Sequence, residues 1–142
     1  MTDGSWSSPG SSYASVGAGA AGGAAAGAGA GTSWTAAKIA APAGGAVLYG
    51  VSCRADTSCV AVGSAGSSAA TKATALSYDG KTWTAQTVPG PGTGTSSEFF
   101  GVNCLRANQC VAIGETVSSR PSTATPLGGL WNGSSWRLVA AP

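Results

Sequence analysis

The stretch YGVSCRADTSCVAVG, residues 49–63, recurs without a gap as FGVNCLRANQCVAIG, residues 100–114, at an offset of 51. A repeat of this length makes one supersecondary unit the building block of the chain. In each copy two runs of small and β-branched residues, 51–53 and 59–62 in the first, flank a polar segment, 54–58, which is the pattern of a hairpin. With Cys53 opposite Cys59, strand alternation sets Val51 against Ala61 and Tyr49 against Gly63, and gathers Val60 and Val62 on the other face. The same register sets Val102 against Ala112 and Phe100 against Gly114, with Val111 and Ile113 on the second face. A small residue thus stands opposite a large one in both copies.

Downstream, YDGKTW at 78–83 aligns with WNGSSW at 131–136, now at an offset of 53. Asp79-Gly80 and Asn132-Gly133 suit the positive φ angles of a two-residue type I′ turn, so a third and a fourth strand are expected to flank each dipeptide. That register predicts Trp83 across from Leu76 and Trp136 across from Gly129. Segments 64–74 and 115–126, which share no sequence, read as the longer loops between second and third strands. A further Gly-x-x-Trp element, GTSW at 31–34, precedes the first Cys unit, and Asp3, Gly4, Ser5 and Trp6 echo it one residue short.

Composition narrows the chemistry. The chain has 142 residues and 43% of them are apolar, yet 28 are alanine and only 20 are Val, Ile, Leu or Phe. Net charge is +2, which gives no sequence argument for nucleic acid or an anionic membrane surface. Histidine is absent, so His-based triads and His-ligated zinc are excluded. Residues 17–31 contain only Gly and Ala, and such a run buries too little apolar area to offset its ordering entropy; residues 1–31 are therefore expected to form a disordered arm. The run is too short and too glycine-rich for a membrane span, which needs roughly 20 apolar residues. Asp3 stands where a signal peptide would carry basic residues. Residues 32–142 then hold the two repeats, at about 34–88 and 89–142.

Four cysteines allow three pairings, and hairpin geometry selects Cys53 with Cys59 and Cys104 with Cys110, because facing residues of an antiparallel pair lie within disulfide reach. Five intervening residues do not match the usual spacing of zinc thiolates, and there is no Cys-x-x-Cys redox motif. Structural disulfides point to a compartment outside the cytoplasm.

Strands that are apolar on both faces belong between other sheets, as in the blades of a β-propeller. The combined pattern, Gly-Val-Ser/Asn-Cys, five residues, Cys-Val-Ala-Val/Ile-Gly, then an aromatic with Asp/Asn-Gly-x-x-Trp, resembles the secreted β-propeller repeat proteins common in actinobacteria. The resemblance covers 31–142 and implies an all-β fold of two four-stranded antiparallel blades plus a partial strand. SYDGKTW at 77–83 is also similar to the Asp-box turn of sialidase-type propellers, although it is one residue short and Asn132 replaces the Asp in the second copy. The arginine cluster and Tyr/Glu pair of sialidases have no counterparts, so no active site is carried over. A propeller of two blades is open, and the missing blades are expected from a longer parent chain or from self-association.

Trp34, Trp83 and Trp136 share one repeat position and are expected to cover the turn and pack on the neighbouring strand. Candidate ligand residues are those that differ between the repeats on loop tips, Arg54, Asp56 and Arg106, and the aromatics before the turns, Tyr78 and Trp131. A catalytic pair would have to come from Asp3, Asp56, Asp79, Glu98 and Glu115, none of which lies in an apolar sequence context that would raise a pKa. The expectation is a non-enzymatic, secreted or cell-surface scaffold that takes a carbohydrate or protein ligand and needs no cofactor, with a piece of a sialidase-like hydrolase or a structural spacer as alternatives.

Overall fold

In the computed structural model, described at residues 13–14, 37–39, 42, 44–67 and 70–140, every regular element is a strand. Two short strands, β1 (Tyr13–Ala14) and β2 (Ala37–Lys38), pair antiparallel with each other. The first four-stranded sheet consists of β3 (Ala46–Ala55), β4 (Ser58–Ala65), β5 (Lys72–Tyr78) and β6 (Trp83–Gln86), in the order β3-β4-β5-β6. The second consists of β7 (Thr95–Arg106), β8 (Gln109–Ser119), β9 (Ser122–Trp131) and β10 (Trp136–Ala140), in the order β7-β8-β9-β10. All pairings are antiparallel between sequence neighbours. Apart from Tyr13 and Ala14, the expected disordered arm and Trp34 lie outside the described residues.

The cysteine register is as the alternation predicts. Cys53 pairs with Cys59 and Cys104 with Cys110 across the strands, each with Cα atoms 4.0 Å apart, and both pairs are disulfide-bonded. Val51 faces Ala61 and Val102 faces Ala112.

Three expectations are corrected. Tyr49 does not face Gly63, nor Phe100 Gly114: a β-bulge puts Leu48 and Phe99 opposite those glycines and leaves each aromatic as the extra, unpaired residue. The turns are not two-residue hairpins, because Trp83 pairs with Tyr78 and Trp136 with Trp131, two positions away from the predicted partners. In each of these turns only the glycine, Gly80 (φ +96°) or Gly133 (φ +98°), takes positive φ, whereas a type I′ turn needs a second such residue. Finally, 115–126 is not a loop. β8 and β9 pair as far as Ser119 and Ser122, through a Ser/Thr-rich ladder that lacks the apolar alternation by which strands are usually read.

The two sheets stack face to face. Val60, Val62, Ala73 and Ala75 of the first bury against Phe99, Ala112, Leu127 and Trp136 of the second, together with the Cys104–Cys110 disulfide. Small side chains on the first sheet allow this close packing. The contact is pinned by hydrogen bonds from Ala73 N–H to Ser97 Oγ (2.9 Å), from Cys104 N–H to Ser52 Oγ (3.0 Å) and from Trp136 Nε1–H to Gln86 Oε1 (2.8 Å). On its opposite face the first sheet buries Cys59, Ala61, Leu76 and Trp83 with Ile39. Val88, which follows β6, packs into the inter-sheet core much as Ile39, which follows β2, packs on the first sheet.

The opposite face of the second sheet is bare. Val111 and Ile113, which occupy the positions of Val60 and Val62, are 41% and 64% exposed, whereas those two are 7% and 0% exposed. The expectation of strands covered on both faces therefore holds for β4 and fails for β8.

Candidate functional site

The bulges decide which aromatic side chains meet solvent. Beside each of them a carbonyl oxygen, of Val47 or of Glu98, lies where a Cβ on Gly63 or Gly114 would have to be, so only glycine lets the bulged strand approach its neighbour. The ejected rings, Tyr49 and Phe100, are 49% and 45% exposed, and meet edge to face with centroids 5.9 Å apart. They meet because β3 and β7 run side by side: a Cβ on Gly50 would lie 3.0 Å from Gly101 Cα. Val47 and Val51, one residue pair to either side of Tyr49 on β3, are exposed as well. The result is an apolar strip along the free edges of both sheets, with two aromatic rings at its centre.

The loop tips flank this strip at one end. Arg54, Asp56 and Arg106 are exposed at the ends of the disulfide hairpins, as expected. Each hairpin tip lies against the turn of its own sheet: a Cβ on Gly80 would come within 2.6 Å of Thr57, and one on Gly133 within 2.6 Å of Asn108. Tip and turn therefore form a single surface at the same end of each sheet.

Within the turns the side chain before the glycine acts as a cap. Asp79 Oδ1 accepts hydrogen bonds from the N–H groups of Lys81 and Thr82, both 2.8 Å, and Asn132 Oδ1 accepts from those of Ser134 and Ser135, both 2.9 Å. The backbone N–H of Thr82, then that of Lys81, holds the Asp79 carboxyl below the ordinary aspartate range. Both of these bonds fall on Oδ1, which ties that oxygen to the turn.

Tyr78 and Trp131 are half-buried, tilted against Trp83 (5.1 Å) and Trp136 (5.7 Å), and not presented as a platform. Trp83 and Trp136 are buried at the turns, but their indole N–H groups differ: that of Trp136 is bonded to Gln86, while that of Trp83 is buried with no partner among the described residues. Among the carboxylates, Glu98 and Glu115 stand directly opposite each other on β7 and β8, an adjacency that neither local sequence reveals. No group of three or more acidic or cysteine side chains among the described residues could hold a metal ion. No helix there is long and apolar enough to cross a membrane.

The structure thus keeps Arg54, Asp56 and Arg106 accessible, assigns Asp79, Asn132 and their glycines to turns, and adds the pair that the sequence register set against Gly63 and Gly114, Tyr49 and Phe100. The signal for that pair was an aromatic-Gly dipeptide at the same place in both repeats. Compared with known proteins, the chain matches no family model, no curated protein and no solved structure.

Proposed function

We propose that the two sheets are an open pair of β-propeller-type blades, and that the chain is a non-enzymatic binding module working outside the cytoplasm. Two disulfides support that location. The observation that carries the binding reading is the Tyr49–Phe100 pair, because burying two aromatic rings at the centre of an apolar strip with charged tips beside it is the usual anatomy of a binding hot spot. Val47 and Val51 beside the rings favour a protein or peptide segment over a sugar, since a sugar site would call for more hydrogen-bonding groups around the aromatic faces.

The test is a titration of the oxidised protein against panels of extracellular peptides and of cell-wall glycans. A ligand whose Kd rises at least tenfold with the double variant Tyr49→Ala/Phe100→Ala supports the reading, and a peptide ligand supports its finer form. Equal binding by wild type and double variant, or no binding across either panel, removes it.

A further inference from the structure

We propose that the bare face of the second sheet is the contact surface of a two-fold homodimer, in which Arg137 of each copy is set over Glu98 and Glu115 of the other. This rests on a different surface from the aromatic strip and is independent of the binding reading, but it bears on the blade reading: a second copy, and not a third blade, covers the free face of the open pair.

The strand register defines the face. One row across the sheet runs Asn103, Val111, Leu130, Arg137, the next Gly101, Ile113, Gly128, Val139, and the third Glu98, Glu115, Pro126. Val111, Ile113 and Val139 are exposed large apolar residues on two adjacent rows of this face, the kind of cluster that contact surfaces carry.

The first sheet's equivalent face shows what does not fit here. Where the first sheet has Ser77, Thr84, Val62 and Ser64, and accepts another sheet closely, the second has Leu130, Arg137, Ile113 and Glu115. A head-to-tail copy would also have to present Cys59, Ala61, Leu76 and Trp83, which are already buried with Ile39.

Charge placement favours the face itself as its own partner. Arg137 on β10 and Glu98 on β7 are diagonally opposite corners, about 14 Å apart across the strands and about 13 Å along them, with the apolar residues between. Because the two spans are nearly equal, a two-fold axis lying in the interface along the other diagonal exchanges these corners and crosses the strands near a right angle, an established mode of sheet packing. Glu98 and Glu115 are like charges directly opposed across a ladder, an arrangement that is unfavourable until a cation approaches. Arg137 of the partner subunit supplies that cation, and two such clusters flank one apolar centre.

The test is sedimentation equilibrium of the oxidised full chain from about 1 μM to about 1 mM. The expected result is a monomer–dimer equilibrium with no larger species. Arg137→Glu alone, and Glu98→Arg/Glu115→Arg together, are each expected to raise the dimer Kd at least tenfold, and the triple variant to return it to within about threefold of wild type. Ile113→Lys, at an exposed position that leaves the monomer core untouched, is expected to abolish the dimer and serves if a charge variant fails to fold. A monomer at every concentration, a ladder of growing oligomers, or a dimer indifferent to these substitutions overturns the proposal.

Discussion

The two sheets are built on hairpins of one pattern, yet they spend their side chains differently. In the first, both faces of β4 are covered, one by the second sheet and the other with the help of Ile39. In the second, only the face bearing Phe99, Ala112 and Trp136 is covered, while Val111 and Ile113 meet solvent. The difference does not lie in the hairpin code, since the residues at these positions are alike. It lies in neighbours, which shows that burial in a stacked-sheet protein belongs to the interface and not to the repeat.

The largest effect expected from this asymmetry is in paired truncations. Val62→Ala removes apolar volume from a sealed contact and is expected to cost about 2 kcal/mol. Ile113→Ala, at the matching position, is expected to cost less than about 0.5 kcal/mol when measured by chemical denaturation at a concentration where the chain is monomeric. Equal costs would mean that the second face is covered in the monomer after all.

A smaller effect separates the two tryptophans. Gln86→Leu strands the Trp136 indole N–H in the core and is expected to cost about 1–2 kcal/mol. The loss is read as a fall in the denaturation midpoint, and no fall would mean that the bond contributes nothing; Trp83 has no acceptor among the described residues to lose.

The smallest is a pH dependence confined to one turn. Asp79 has a folded pKa below its unfolded value of about 3.9, so its contribution is complete above that value and is lost as pH falls through the folded one. Asn132 makes the same turn without a titrating group. Acid is thus expected to loosen the first turn and spare the second, seen as amide exchange of Lys81 and Thr82 but not of Ser134 and Ser135. Asp79→Asn is expected to erase the difference, and comparable acid sensitivity in both turns would refute the assignment.

The hairpin register and both disulfides were legible because an alternating pattern on either side of two cysteines admits few pairings, and the same pattern occurs twice. The turn was misread because Asp-Gly and Asn-Gly suit a two-residue hairpin equally well; what separates the cases is the side-chain oxygen that gathers two downstream N–H groups, along with the Thr or Ser near the end of the loop. The strands through 115–126 carry threonine and serine in place of an apolar stripe, so no hydrophobic period marks them. Least legible was the site. Tyr49 and Phe100 read as residues facing glycine across a regular ladder until the bulge is seen and β3 and β7 are placed side by side, a relation that no local pattern encodes.

The glycine beneath each bulge also offers a rule for decoding other chains. Tyr49-Gly50 is answered by Gly63, and Phe100-Gly101 by Gly114, fourteen positions on and around a cystine ring in both cases. A hairpin that keeps all three marks should turn its aromatic outward. One in which the distant glycine has gained a methyl group should lose the extra residue from its ladder and swing the ring back beneath the sheet, so the character of the exposed edge can be spelled out from a residue on the opposite strand.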